Sequence, residues 1–317
     1  MENGLKYLCE CVNKKYGIIT YSGTLAIEGA LRALNIGSKD KVIVSGTICY
    51  SIIEVILRLD AIPVIVYPKN GFTLTREEVQ EVIDNENDIK CIILAHQFGL
   101  AQDIKSIKDI APNIPMIEDI AQAFKIVNSN ELPGLYSDIV ITSFGHTKPL
   151  SLGYGGALFS NDDFSHLFDF YNNESRSSNN VLMPYTMKIS DATIDKICKK
   201  ANSIVRKQRK ISALLSRAFE NTNIITYKDS PGSKSVWHRF PIICPNKDEF
   251  NRVIALLEKC KVEYQLPHEK ELYELGFIKS SSAVIYGKKY LKEYVILIRT
   301  RTNEIKNVLR FVKGMKR

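Results

Sequence analysis

Short apolar runs alternate with helical patterns through the first half of the chain, and that alternation leaves few folds open. Residues 1–16 read as a short helix with Leu5, Leu8, Cys9 and Val12 on one face. Gly17 to Tyr21 reads as a strand. Leu25, Ile27, Ala30, Leu31 and Leu34 then share one helical face, which Gly37 closes. Strand 41–45, helix 49–59, strand 62–67, helix 75–84, strand 90–95, helix 103–110 and strand 114–118 continue the pattern. Strands apolar along their whole length are buried on both faces. Repeated strand–helix–strand units therefore predict a doubly wound, mostly parallel sheet with right-handed connections. We expect a large α/β domain over residues 1–188 and a smaller α+β domain over 189–317, joined by a long helix at 189–220. A helix at 163–171 and a polar loop at 172–180 precede the junction. Beyond it, strands are expected at 236–243, 262–264 and 294–298, with helices at 247–259 and 303–313.

The chain's 317 residues are 45% hydrophobic and 25% charged, which suits a folded protein with room for two domains. The net charge is +8, yet the basic residues are scattered. The denser stretch Lys196 to Lys210 reads as the polar face of a helix, so an anionic small ligand is expected and nucleic acid is not. The seven cysteines lie mostly in apolar runs, and only Cys9 and Cys11 are close together. With no second pair to complete a metal site, no metal is expected, and reduced thiols in a cytoplasmic protein are. No leader segment and no membrane-spanning run is visible.

Two strand ends carry the chemistry. Ile139-Val140-Ile141 runs into Ser143-Phe144. Lys148 follows, then a glycine turn (Gly153, Gly155, Gly156) and a second apolar run at Ala157-Leu158-Phe159. A loop lysine is ordinarily just exposed, but open α/β sheets build their sites at such strand ends. Upstream, the run Ile114 to Glu118 ends in Asp119. A strand-end aspartate with a later loop lysine is what pyridoxal 5'-phosphate needs: an amine for its aldehyde, and a carboxylate to keep its ring nitrogen protonated. Ser22-Gly23-Thr24 opens the helix after the first strand, where free N–H groups and the helix dipole favour an anion; a plain helix cap is the alternative.

These pieces resemble the DegT-type sugar aminotransferases, which are fold-type-I pyridoxal phosphate enzymes. The matching segments are Ser22-Gly-Thr24, His96-Gln-Phe-Gly99, Glu118-Asp-Ile-Ala-Gln122 and Ser143-Phe-Gly-His-Thr-Lys148 with Gly155-Gly156, in the family's order. The resemblance covers residues 15–260. It implies that Lys148 and Asp119 are catalytic, that Ser22, Gly23, Thr24 and Ser143 hold the cofactor phosphate, and that Gln122 contacts the ring hydroxyl. Family members cover the ring with an aromatic residue. Register puts Cys49 there with Tyr50 beside it, and either is open. Thr186 stands where the family presents an asparagine to the neighbouring subunit's phosphate, and Lys188 where it has an arginine. The resemblance thus implies a homodimer with shared sites. Arg299, or Arg301 beside it, corresponds to an arginine that grips a substrate carboxylate in many fold-type-I enzymes; a surface arginine is the other reading. His96 is open between a structural and a catalytic role, and His146 reads as a loop residue. Relatives that dehydrate sugars carry histidine in place of the lysine, so Lys148 favours transamination. The stretch before Ser22 is shorter than usual, which implies an acceptor that is smaller or differently held. The expected function is transfer of an amino group from an amino acid such as glutamate to a nucleotide-linked keto-sugar. Another pyridoxal phosphate reaction (elimination or dehydration) and a non-catalytic regulatory binder are the alternatives.

Overall fold

The computed structural model describes residues 3–69, 71–127, 130–169, 185–267, 272–287 and 294–316. The large sheet contains β1 (Tyr16–Thr20), β2 (Lys41–Ser45), β3 (Ile62–Val66), β4 (Ile89–Ala95), β5 (Met116–Asp119), β6 (Ile139–Ser143), β7 (Gly156–Ser160) and β11 (Val284–Tyr286), in the order β1-β7-β6-β5-β4-β2-β3-β11. Strands β2 to β6 and β11 are parallel, while β7 runs antiparallel to both β6 and β1. The C-terminal ends of β1, β2, β4, β5 and β6 therefore share one edge with the start of β7.

Alternation within single strands builds two cores. Val42 and Val44 of β2 pack with α2 (Gly23–Ala33) and α3 (Tyr50–Arg58), whereas Ile43 between them packs with α4 (Arg76–Asn85) and α5 (Ile104–Ile110). Both faces are covered, so the strand shows no polar alternation. Each such valine or isoleucine contributes about 1.5–3 kcal/mol by leaving water. Local signals set the helix ends. Thr75 and Glu78 form a reciprocal capping box on α4, and Ser22 Oγ caps α2 by accepting from Leu25 N. The first helix, α1 (Asn3–Cys11), is shorter than expected because Asn13 takes a left-handed φ of 52°.

Helix α6 (Asp191–Phe219) joins the two parts of the chain. Ile194, Ile197, Cys198, Ala201 and Val205 pack with α1 and the β6–β7 face, whereas Ile211, Leu215 and Phe219 enter a second core. That core lies against the antiparallel sheet β10-β12-β9-β8, formed by β8 (Ile225–Thr226), β9 (Arg239–Ile243), β10 (Tyr264–Gln265) and β12 (Val295–Arg299). Helices α7 (Lys247–Lys259) and α9 (Ile305–Met315) cover it.

Two expectations change. Strand 236–243 begins only at Arg239, because Trp237 has φ 61°, outside any strand conformation. The stretch expected to stay in the small domain also returns to the large one. Leu272, Leu275 and Ile278 of α8 (Gly276–Lys279) and its approach pack on the α2–α3 core, and β11 pairs with β3. Residues 165–169 are helical; the remainder of helix 163–171 beyond 169, the polar loop 172–180 and Pro184 lie outside the described residues.

Candidate active site

The loop after β6 is laced into the strand ends around it. Phe144, fully buried, donates from its N to Gly155 O (2.9 Å) and accepts at its O from Leu152 N (2.8 Å) and Gly153 N (2.9 Å). Gly155 bridges to Ser22 in parallel fashion, as Gly145 does to Gly153. Gly153 and Gly155 both sit at positive φ (99° and 93°), which a side chain would strain. Lys148 N closes the turn on Gly145 O at 2.9 Å.

Three backbones meet beside this loop without room for side chains. A Cβ on Gly23 would lie 2.8 Å from Ser143 Cβ, and one on Gly156 would lie 2.7 Å from Gly23 N. Ser22 Oγ satisfies Leu25 N–H, so the N–H groups of Gly23 and Thr24 have no acceptor within the helix. Ser143 Oγ adds a hydroxyl, held by Gly145 N at 3.3 Å. This is a small concave donor set at a helix N-terminus, suited to a phosphate.

Asp119 ends β5 on the same edge. Its Oδ1 accepts from Ala121 N at 2.7 Å, and no ion-pair partner stands beside it among the described residues. Burial raises its carboxyl, against the pull of the Ala121 N–H, Lys148 and His96. Its neighbour Glu118 is the opposite case. Oε1 takes a hydrogen bond from His96 Nε2 (2.8 Å), and Oε2 takes two more from Gly134 N and Ser137 Oγ (each 2.8 Å). Burial alone raises Glu118, but these bonds outweigh it and hold the carboxyl below its ordinary range. Gln102 N donates to His96 Nδ1 at 3.0 Å, so the ring hydrogen sits on Nε2. His96 is thus a structural residue whose N also holds Asp119 O at 3.0 Å.

A cavity of about 770 Å³ opens at this edge between the two sheets. Of the expected residues, Cys49, Tyr50, Gln122 and Lys148 line it. Cys49 is the N-cap of α3 and Tyr50 is 48% exposed, so both remain placed to face a ring. Gln122 is fixed by Phe98 N (3.2 Å) and Gln97 Oε1 (3.1 Å). Thr186 and Lys188 lie elsewhere. Residues 185–187 run along the outer edge of β1, with Thr186 bridged to Thr20 of the same chain, and Lys188 is exposed. Arg299 ends β12 opposite Arg239 and 4.0 Å from Glu263, and it is not part of the cavity lining. Arg301 donates from Nη1 to the carbonyls of His146 and Lys148.

Sequence reading missed His238 and Arg239, which line the cavity from the small sheet. They follow a left-handed Trp237 docked under Gly99, whose own missing Cβ would come within 2.6 Å of His238 N. A turn of this kind leaves no periodic signal; two adjacent basic residues at a strand start were the available hint.

The sequence profile of the DegT/DnrJ/EryC1/StrS aminotransferase family matches residues 5–288. The chain belongs to this family. It is 34% identical over 160 residues to a UDP-2-acetamido-2-deoxy-3-oxo-D-glucuronate aminotransferase of Pseudomonas aeruginosa, a match covering 49% of this chain and 44% of that protein. It is 23% identical over 308 residues to a UDP-4-amino-4,6-dideoxy-N-acetyl-beta-L-altrosamine transaminase of Campylobacter jejuni, covering 90% and 81%. The chain spans under half the length of the first curated relatives it matches, 44% and 42%. A crystal structure of a DegT DnrJ EryC1 StrS aminotransferase from Brucella abortus superposes with a TM-score of 0.82 at 21% identity, covering 98% of this chain and 88% of that one. The fold is therefore the fold-type-I architecture of the pyridoxal phosphate enzymes, as expected for this family.

Proposed function

We propose that the protein is a pyridoxal-phosphate-dependent aminotransferase that moves an amino group from an amino acid such as glutamate to a nucleotide-linked keto-sugar. The observation that carries this is Asp119: a half-buried carboxylate with no ion-pair partner among the described residues, one strand from the Lys148 loop and on the edge that holds the Gly23–Ser143–Gly156 cradle. Those residues fit the cofactor. Gly23, Thr24 and Ser143 would hold its phosphate, and Asp119 its ring nitrogen.

When bound, pyridoxal phosphate supplies an aldehyde for the lysine and a ring that accepts electrons as a Cα–H bond breaks. Lys148 Nζ is the base that takes the Cα proton. Asp119 would keep the ring nitrogen protonated by its charge, and that cation would in turn favour its ionised form. Gln122 and Gln97 orient polar groups, while Ile48, Leu272, Leu275 and Leu297 exclude water.

We also infer a cytoplasmic homodimer with shared sites. Thr186 and Lys188 lie on the β1 edge away from this cavity, which supports a role at a neighbouring copy. All seven cysteines are free thiols, in keeping with a reducing compartment. No helix among the described residues is long and apolar enough to cross a membrane. The test of the activity is an amino-donor titration of the cofactor-loaded protein. Bleaching of the visible absorbance with stoichiometric keto acid supports transamination; keto acid formed catalytically without an acceptor points to elimination, and no change to a binder.

A further inference from the structure

Strands β9 and β12 pair so that Arg239 and Arg299 stand directly opposite each other. Direct partners leave a sheet on the same face, and like charges so placed destabilise it. Arg299 has Glu263 at 4.0 Å. Arg239 has no carboxylate partner among the described residues. Its Nη1 donates to His238 O (3.0 Å) and lies 3.2 Å from His238 Nε2. The Nε–H and Nη2–H groups are left over, and together they form the side-on fork that matches a carboxylate in two parallel hydrogen bonds.

Behind the fork, His238 is buried, and the guanidinium beside Nε2 puts the ring hydrogen on Nδ1. That Nδ1 has no hydrogen-bond partner among the described residues. Burial first, then Arg239, Lys148, Arg301 and Arg299, push its protonation far below the ordinary histidine range, so the ring adds no charge of its own. A corner that collects cations and leaves donors unmatched is built around a partner that is not protein. Arg239 and His238 line the same cavity as Lys148, whose wall mixes apolar side chains (Ile48, Leu272, Leu275, Leu297) with polar ones (Gln97, Gln122, Gln265). The apolar side chains suit a carbon skeleton, and the open fork suits a carboxylate at its end.

We propose that Arg239, backed by His238 and with Arg299 opposite it, is a carboxylate subsite that orients substrate toward Lys148 and selects which substrates enter. The inference rests on the aminotransferase reading and names the group recognised at that site. The carboxylate has two sources: the distal acid of the amino donor, or an acid carried by the acceptor sugar.

Trp237, the only tryptophan of the chain, immediately precedes His238 and reports on this corner. The experiment titrates the cofactor-loaded protein while following Trp237 emission. One arm uses glutarate, which has no amine and cannot react, beside its neutral diamide. The other uses UDP-glucuronate beside UDP-glucose. We expect the carboxylate member of at least one pair to bind more tightly. Arg239→Gln should weaken that member about tenfold to a hundredfold and leave its neutral counterpart unchanged, with partial recovery in Arg239→Lys. An effect confined to glutarate assigns the subsite to the donor, and one confined to UDP-glucuronate assigns it to the acceptor. Equal binding of acid and neutral probes by the unaltered protein, or Arg239→Gln affinities within twofold of it, overturns the proposal. If Arg239→Gln does not fold, the probe pairs on the unaltered protein and on Arg239→Lys decide. Acid-selective binding without transamination would sink the proposed activity and keep the subsite; transamination without acid selectivity would do the reverse.

Discussion

Arg301 Nη1 donates to the carbonyl oxygens of His146 at 3.0 Å and Lys148 at 2.8 Å, so a residue beyond β12 holds the backbone from which the proposed base projects. One guanidinium nitrogen spans both acceptors and fixes the loop from the small-domain side. The contact is partly exposed, which limits what it adds to stability but not to placement.

Arg301→Ala should therefore lower turnover about tenfold while the KM for the amino donor changes little, since misplacing a reacting group by a fraction of an ångström raises the barrier. Loss of stability should stay near 1 kcal/mol. Arg301→Lys should recover part of the rate. Steady-state kinetics beside a thermal melt distinguishes this from a carboxylate-binding role, which would raise KM instead.

Lys148→Ala should abolish covalent attachment of the cofactor. Borohydride reduction of the unaltered protein followed by peptide mass spectrometry should place the pyridoxyl group on Lys148. Its appearance on another lysine would displace the whole site.

Asp119→Asn should still bind the cofactor through the Gly23–Ser143 cradle, but lower kcat by about a hundredfold or more, because an amide cannot stabilise a protonated ring nitrogen. Stopped-flow absorbance with donor alone isolates the affected step. Normal rates there would remove Asp119 from its assigned role.

Much of this was legible beforehand. The parallel sheet followed from apolar runs such as Lys41–Ser45, whose both-face burial left no alternation to misread. Lys148 and Asp119 could be proposed from the sequence because strand-end chemistry leaves a local signature, an apolar run stopping at a functional group. Arg239 left none. Its meaning depends on Arg299, which comes opposite it only through an antiparallel pairing between distant segments. The same holds for Arg301, whose partners are backbone carbonyls that no side-chain pattern encodes. Strand β11 was missed because Val284–Tyr286 is brief and only half buried.

Glu118→Gln tests the buried brace beneath Asp119. All three partners of Glu118 are donors, so an amide nitrogen must meet another N–H or O–H, at a cost of about 2–3 kcal/mol near neutral pH. The sign with pH follows from the depressed folded value. Glu118 stabilises the fold fully above the ordinary 4.5, and this is lost as pH falls through the lower folded value. Chemical denaturation across that range should show the difference between the two proteins shrinking below about pH 4.5. A constant difference would mean that Glu118 is not held ionised by its partners.

Shared sites predict complementation. A Lys148→Ala chain mixed with one altered at both Thr186 and Lys188, under conditions that exchange subunits, should regain part of the activity. Proven hybrids with no recovery, or a monomer in sedimentation at micromolar concentration, would count against the inferred arrangement.

Strand β11 also bears on how the chain is made. During synthesis β3 emerges early, and its outer edge stays uncovered until residues 284–286 leave the ribosome, on the order of tens of seconds later at usual elongation rates. Pro63 removes one donor at the start of that edge, and β11 later pairs only with Val64, Ile65 and Val66 beyond it. The nascent protein thus carries one short, sticky, apolar rim while the more than two hundred residues between β3 and β11 are made. A message cut short before codon 284 would release chains with that rim permanently bare.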